Sequence, residues 1–312
     1  IFDGNLNIDD KNISLFFNGL VDFSDDLVDF DFDLDLLKAD LNNINDEYDN
    51  SISGSANVKL RGSRIENLIG DLSINNLKFT NSDINNTFEK FDAQLRYNDD
   101  IRIVNLNSSD AVSGIIIGEY DIFSLKKILL NSIGSHYSNY KLNDNIDFQN
   151  ISFNLNIKPK LAYLINSKLD LDESTFVSGN FKSDGDYEIA VKSNYINYDN
   201  IETEDIDLKF SNNGGEFKIK KLKSTLFEGT NFYVDSTFSD DSLYVNSNYK
   251  TFLNNQNKLN FYHTINEKNN SVFGFINLDL ILNKKNWSLS KNSEPKLIIN
   301  NNLQSFNANN IS

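Results

Sequence analysis

The sequence predicts an all-β protein: a long antiparallel meander broken by one short amphipathic helix near residues 124–137. Three observations carry this. From Val28 to Leu36 every even position is a large hydrophobe and every odd position an aspartate, which on an extended chain puts oil on one face and carboxylate on the other. Similar segments recur at spacings of roughly a dozen residues, with polar runs between them as hairpin turns require. In one stretch, residues 122–140, the apolar positions change to a helical spacing.

In chain order, residues 2–8 place Phe2, Leu6 and Ile8 on one face, and residues 13–23 do the same with Ile13, Leu15, Phe17, Val21 and Phe23. The acidic strand follows, with Val28, Phe30, Phe32, Leu34 and Leu36 opposite Asp29, Asp31, Asp33 and Asp35. Next come Ile52, Ala56, Val58 and Leu60, then Leu72 and Ile74, then Phe91, Ala93, Leu95 and Tyr97. Asp9-Asp10-Lys11-Asn12, Asn45-Asp46-Glu47 and Asn98-Asp99-Asp100 are the expected turns. A weak repeat, Gly-x-Leu-x-Ile, starts at Gly4 and again at Gly70; Gly-started amphipathic strands can also look alike by chance.

Phe123, Leu125, Ile128, Leu129 and Ile133 share one side of a helix read from Ser124 to Tyr137, whose thin charged face suits a cap on the end of a sheet. A second helical turn is expected from Pro159 to Asn166, with proline at the first helical position. Strands then resume at Ile151 to Ile157, Tyr187 to Val191, Ile206 to Phe210 and Phe217 to Ile219, and at Phe232, Val234, Leu243, Val245, Leu259 and Phe261. The last row is Ile276, Leu278, Leu280 and Leu282. Asn213-Gly214, between two alternating runs, is the strongest hairpin signal in the chain. The expected organisation is residues 1–121 and 141–299 as strand segments, 122–140 as the helical interruption and 300–312 as a polar tail.

Composition narrows the function. The 312 residues carry a formal net charge of −16, and a chain without a basic stripe does not bind nucleic acid through phosphates. With 39% hydrophobic and 12% aromatic residues it has ample material for a folded interior. It has no cysteine, which excludes disulfides and thiolate chemistry and is compatible with an oxidising space such as the periplasm. It has no methionine, even at position 1, and opens directly in strand alternation, so a piece of a longer protein is expected, with any anchor or export signal outside it. His136 and His263 lie far apart without zinc-ligand spacing. The ladder Asp31-x-Asp33-x-Asp35 lacks the glycine of a calcium loop and reads as a solvated strand face. No nucleophile elbow, phosphate loop or dinucleotide fingerprint is present. No enzyme activity, cofactor or metal is expected.

Phe17-Asn18-Gly19-Leu20-Val21-Asp22-Phe23, Asp29-Phe30-Asp31-Phe32 and Leu36 to Asn45 resemble the middle of the TamB translocation and assembly module proteins, relatives of the AsmA-like bridge proteins. The resemblance continues through Ser53-Gly54-Ser55-Ala56, Gly62, Gly70 and Gly114 to Tyr120, and more loosely to about residue 220. It implies a periplasmic β-sheet curled into an open, taco-like groove and tethered to the inner membrane. In that family the oily interior carries phospholipid acyl chains between the membranes or supports outer-membrane assembly. An insertase of the Omp85 type would be met through parts outside this chain. Taken alone, the apolar rows have three ways to be covered: a second sheet, closure into a barrel, or a lipid chain in an open groove. The candidate lipid-contacting residues are Phe17, Val21, Phe23, Val28, Phe30, Phe32, Leu34, Leu36, Ile52, Val58, Leu72, Ile74, Phe153 and Leu155. The competing expectation is a surface adhesin or β-solenoid that binds carbohydrate or protein.

Overall fold

The structure is a computed structural model that describes residues 1–40, 51–80, 85–141, 149–225, 228–251, 255–282, 285–290, 294–299 and 306–309. The turn expected at Asn45-Asp46-Glu47 lies outside these residues. In chain order the first elements are β1 (Phe2–Asp9), β2 (Ile13–Asp22), β3 (Val28–Asp40), β4 (Ser51–Gly62), β5 (Ile69–Thr80), β6 (Asn85–Asn98), β7 (Ile101–Ser108) and β8 (Val112–Glu119). Then follow α1 (Leu125–Gly134), β9 (Asn150–Ile157), α2 (Pro159–Ile165), β10 (Leu169–Leu171), β11 (Thr175–Lys182), β12 (Tyr187–Tyr198), β13 (Ile201–Ser211) and β14 (Gly214–Lys223). The last are β15 (Glu228–Ser239), β16 (Ser242–Thr251), β17 (Gln256–Ile265), β18 (Ser271–Leu282), β19 (Lys285–Ser288), β20 (Lys296–Ile299) and β21 (Phe306–Asn309). The chain forms two compact units, one of Ile1–Ile122 with Phe153–Ser174, the other of Phe123–Ser152 with Thr175–Ser312.

In the first unit β1 to β8 pair in sequence order, each antiparallel to the next. The meander read from the alternation is therefore the fold. Its strands are longer than the apolar rows suggested, because bulges let a strand continue past a break in parity. In β3, Leu15 faces Leu36 while Ser14 faces Lys38, so Leu37 is the extra residue and its side chain is 70% exposed. The second helix forms where expected, with Pro159 at its start. It is fastened by Lys160, whose Nζ donates to the Asp110 carboxylate at 2.7 Å and to the Thr87 carbonyl at 3.0 Å. Burial pushes the Asp110 carboxyl up, but Lys160 and the Glu89 N–H outweigh it and hold the group below its usual range.

In the second unit β11 to β18 form another antiparallel meander, with β19 and β20 both on β18 and β21 on β20. The Asn-Gly hairpin joins β13 to β14, but its two connecting residues are Asn212 and Asn213, between the paired Ser211 and Gly214. Gly214 takes φ +108°, and a Cβ there would lie 2.1 Å from the Ser236 carbonyl oxygen, so glycine is needed twice over. The expected row in β18 is also corrected. Phe261 faces Phe275 and Asn260 faces Asn277, which leaves Ile276 as the extra residue of a bulge, 53% exposed. The outer face is a charge ladder: Lys223 with Glu202 at 3.6 Å, Lys221 with Glu204 at 3.3 Å, Lys220 with Asp205 at 2.7 Å and Lys192 with Asp207 at 3.6 Å. Each exposed pair is worth little, yet together they oppose a register slip that would face like charges.

Candidate functional site

The register of the first unit sets the candidate residues into rows running across the strands. One row runs Gly19, Phe32, Val58, Leu72, Ala93 and Leu106, each paired with the next. Beside it run Val21, Phe30, Leu60, Gly70, Leu95 and Val104, and on the other side Phe17, Leu34, Ala56, Ile74 and Phe91. Leu36 pairs with Leu15, Val28 with Gly62, and Ile52 with Ala39 and Phe79. Pairing is side by side on one face, so eleven of the fourteen candidates, Phe17 to Ile74 without Phe23, share a single apolar surface. Phe153 and Leu155 belong to β9; the missing side chain of Gly114 lets the Leu155 backbone approach, since a Cβ there would lie 2.9 Å from its Cα. Phe23 departs from the row. The Asp22 carboxylate accepts the Ser24 N–H in a tight turn that ends β2, so the parity does not carry on and Phe23 is 63% exposed.

Burial is graded along this surface. Toward β6 and β7, Ala93, Leu95 and Val104 are buried with Leu60, Leu68, Leu72, Phe91, Leu106 and Ile116 packed around them. Toward β3, Phe30, Phe32, Leu34 and Leu36 are only half-buried, and on β1 Phe2 and Leu6 are 41% and 44% exposed. The Phe17 ring lies 4.7 Å from Phe32 and 5.6 Å from Phe2, centre to centre, a strip of tilted rings across three strands. β1 to β5 make their substantial contacts only with their hydrogen-bonded neighbours. Among the described residues the apolar face over β1 to β3 is therefore left half-buried or exposed.

The carboxylates opposite are matched by the next strand. Asp29 faces Arg61 (3.6 Å), Asp31 faces Lys59 (4.0 Å), Asp33 accepts from Asn57 (2.7 Å) and Asp35 faces Ser55. Cross-strand cations and amides relieve the repulsion along the row. Among the described residues no group of three or more His, Asp or Glu side chains is arranged to hold a metal ion.

The second unit holds a cluster that the sequence spacing conceals. His136 and His263 join one aromatic cluster under the end of α1, linked through Phe238 and Tyr137. His136 stacks on Phe238 with ring centres 4.0 Å apart, and the Tyr137 hydroxyl and His263 Nδ1 share a hydrogen bond of 2.8 Å. Tyr187, Phe210 and Phe273 complete the cluster. Ile128 and Ser132 on α1 are each 1% exposed, and the Ser132 hydroxyl donates to the Lys182 carbonyl at 3.2 Å. The Asp241 carboxylate accepts the Ser138 backbone N–H and hydroxyl. The helix thus caps one end of an apolar sheet face. Burial pushes the Tyr137 phenol up to about 12 and lowers both histidines, so the cluster is neutral at pH 7.

What the arrangement can do follows from what it presents: a half-buried strip of Phe, Leu, Ile and Val side chains across β1 to β4. No known protein family, curated protein or solved structure matches the chain.

Proposed function

We propose that the first unit is an acyl-chain surface: a non-catalytic, periplasmic bridge segment that carries lipid chains between inner and outer membrane or supports outer-membrane assembly. One observation carries the reading, the apolar strip from Phe17 to Leu36 that its own unit leaves half uncovered. Exposed oil of this extent and continuity calls for an apolar occupant. A chain lying on an open strip buries about half of each methylene, or roughly 0.4 kcal/mol of the ~0.8 kcal/mol for full burial. Eight methylenes then contribute on the order of 3 kcal/mol, enough to hold a chain and little enough to let it move along. The resemblance to TamB proteins supports the same reading and supplies its setting: an inner-membrane tether and an Omp85-type partner, both reached through segments outside this chain. Every described pairing register is antiparallel, which removes the parallel-coil basis of the solenoid alternative.

The test is site-specific photo-crosslinking. A benzophenone amino acid at Phe30 or Phe32 should yield lipid adducts recoverable by mass spectrometry, and the same probe at Asp31, on the opposite face, should not. Equal labelling at the three positions, or none at any, overturns the proposal.

A further inference from the structure

We propose that Arg102 is the receptor for an anionic headgroup, a carboxylate or phosphate carried on the end of an acyl chain that lies along the apolar face of the first unit. This rests on the acyl-chain reading and adds to it the class of amphiphile.

Arg102 pairs with Tyr97 on β6 and Gly118 on β8. It stands two residues from Val104, so alternation puts its side chain on the apolar face. It is 5% exposed. A guanidinium withdrawn from water is costly unless an anion meets it, and none does: no carboxylate among the described residues pairs with it. Its contacts are partial substitutes. One amino nitrogen donates to the Ile65 carbonyl at 2.9 Å, the Tyr120 ring lies beneath the guanidinium carbon at 5.7 Å, and Nε is buried with no acceptor. The planar fork of an arginine matches two oxygens of one anion, and here part of that fork is unfilled.

The cover over Arg102 is light. Ile65 opens a single helical turn, Ile65–Asn67, that has no buried residue. Asn67 holds the turn by accepting the Ser63 and Arg64 N–H groups at its exposed side chain, and Leu68 anchors it in the apolar cluster. A headgroup oxygen taking the place of the Ile65 carbonyl requires this turn to move, against the hydrogen bond that the Tyr97 hydroxyl donates to the Glu66 carbonyl. Burial raises the Tyr120 phenol, so the ring under the cation stays uncharged and does not compete with the anion. The net charge of −16 repels anionic surfaces at a distance, but over about 8 Å that field is screened at physiological salt, and the buried cation dominates locally.

Calorimetric titration of the purified chain with dodecyl phosphate, dodecanol and inorganic phosphate tests this. Dodecyl phosphate should bind about tenfold more tightly than dodecanol, as one charge-assisted pair predicts, and inorganic phosphate far more weakly than either. Arg102→Gln should abolish the preference and leave dodecanol binding unchanged, while Arg102→Lys keeps part of it. Equal binding of the two chains by the wild type, or a preference that survives in Arg102→Gln, overturns the assignment and leaves the acyl surface standing. Inorganic phosphate binding as tightly as dodecyl phosphate makes Arg102 a free-anion site and refutes the headgroup role. Failure of dodecanol to bind refutes the acyl surface instead. If Arg102→Gln does not fold, the wild-type comparison still decides, joined by hydrogen exchange: dodecyl phosphate, and not dodecanol, should alter protection of the Ile65 to Leu68 amides, and unchanged protection argues against the site.

Discussion

Replacing Phe32 by alanine separates a surface that is packed from one that is also available. The ring lies across Gly19, whose missing side chain gives it room: a Cβ there would sit 2.8 Å from Phe32 Cβ. It packs at a tilt against Phe17, ring centres 4.7 Å apart, and neighbours Val58, yet is only half-buried. Full removal of a buried phenylalanine costs about 3–5 kcal/mol. Half of that, with roughly 0.5 kcal/mol for the aromatic pair, gives about 2.5 kcal/mol, or a fall in Tm of about 5–10 °C for a unit of this size. The exposed part of the ring is what a lipid chain would touch. On the order of a quarter of a ~200 Å² aromatic surface, at ~25 cal/mol per Å², is about 1.2 kcal/mol, or a sevenfold loss of affinity for an alkyl ligand. Urea unfolding and alkyl-chain titration of Phe32→Ala measure the two effects, with Asp31→Ala, 63% exposed at its side chain, as the control expected to change neither by more than about 0.5 kcal/mol. Loss of stability with unchanged affinity would mean that the row is interior packing and nothing more. Loss of neither would refute the packing argument itself.

Gly70→Ala should destabilise the first unit by about 3 kcal/mol or more, because φ is +131° and the new Cβ would fall 1.9 Å from the Lys59 carbonyl oxygen. Gly4→Ala, at the start of the other copy of the repeat, meets nothing within 4 Å and carries only the strain of its φ of +155°, so it should cost less than Gly70→Ala, about 1–2 kcal/mol, in the same urea titration. The second unit should weaken as pH falls. Burial lowers the folded pKa of His136 and His263 below the ordinary value of 6.5, so the unfolded chain binds protons first; the stabilisation is complete above about pH 7 and declines as pH drops through 6.5 toward the folded values. His136→Phe should flatten the dependence of the urea midpoint on pH between 5 and 7, and an unchanged slope would argue against the buried, neutral His136.

Most strands could be read from the chain because the signal is local. A side-chain period of two needs only neighbouring residues, and Phe30, Phe32 and Leu34 declare their common face whatever pairs with them. Bulges are where this reading failed. Ile276 looks like a member of its row and is turned outward by a one-residue offset that depends on the partner strand. Phe23 leaves its row for a related reason, since the Asp22 turn ends β2 one residue sooner than the pattern does. Arg102 and the two histidines gave no usable signal. His136 and His263 stand in one aromatic cluster because β15, β16 and β17 pair in register beneath the end of α1, and no spacing along the chain encodes that.

The sequence by itself determined the fold class, the strands and the chemical character of each face, because alternation, turn residues and helical spacing act over a few residues. Tertiary structure alone decided that the apolar face is more deeply buried near Ala93, Leu95 and Val104 than near Phe17, Phe32 and Leu34. The cover of a sheet face depends on which segments pack above it, a non-local property. The same holds for Arg102, whose meaning changes from a strand residue to a buried, unpaired cation only once Tyr97, Gly118 and the Ile65 turn are placed around it.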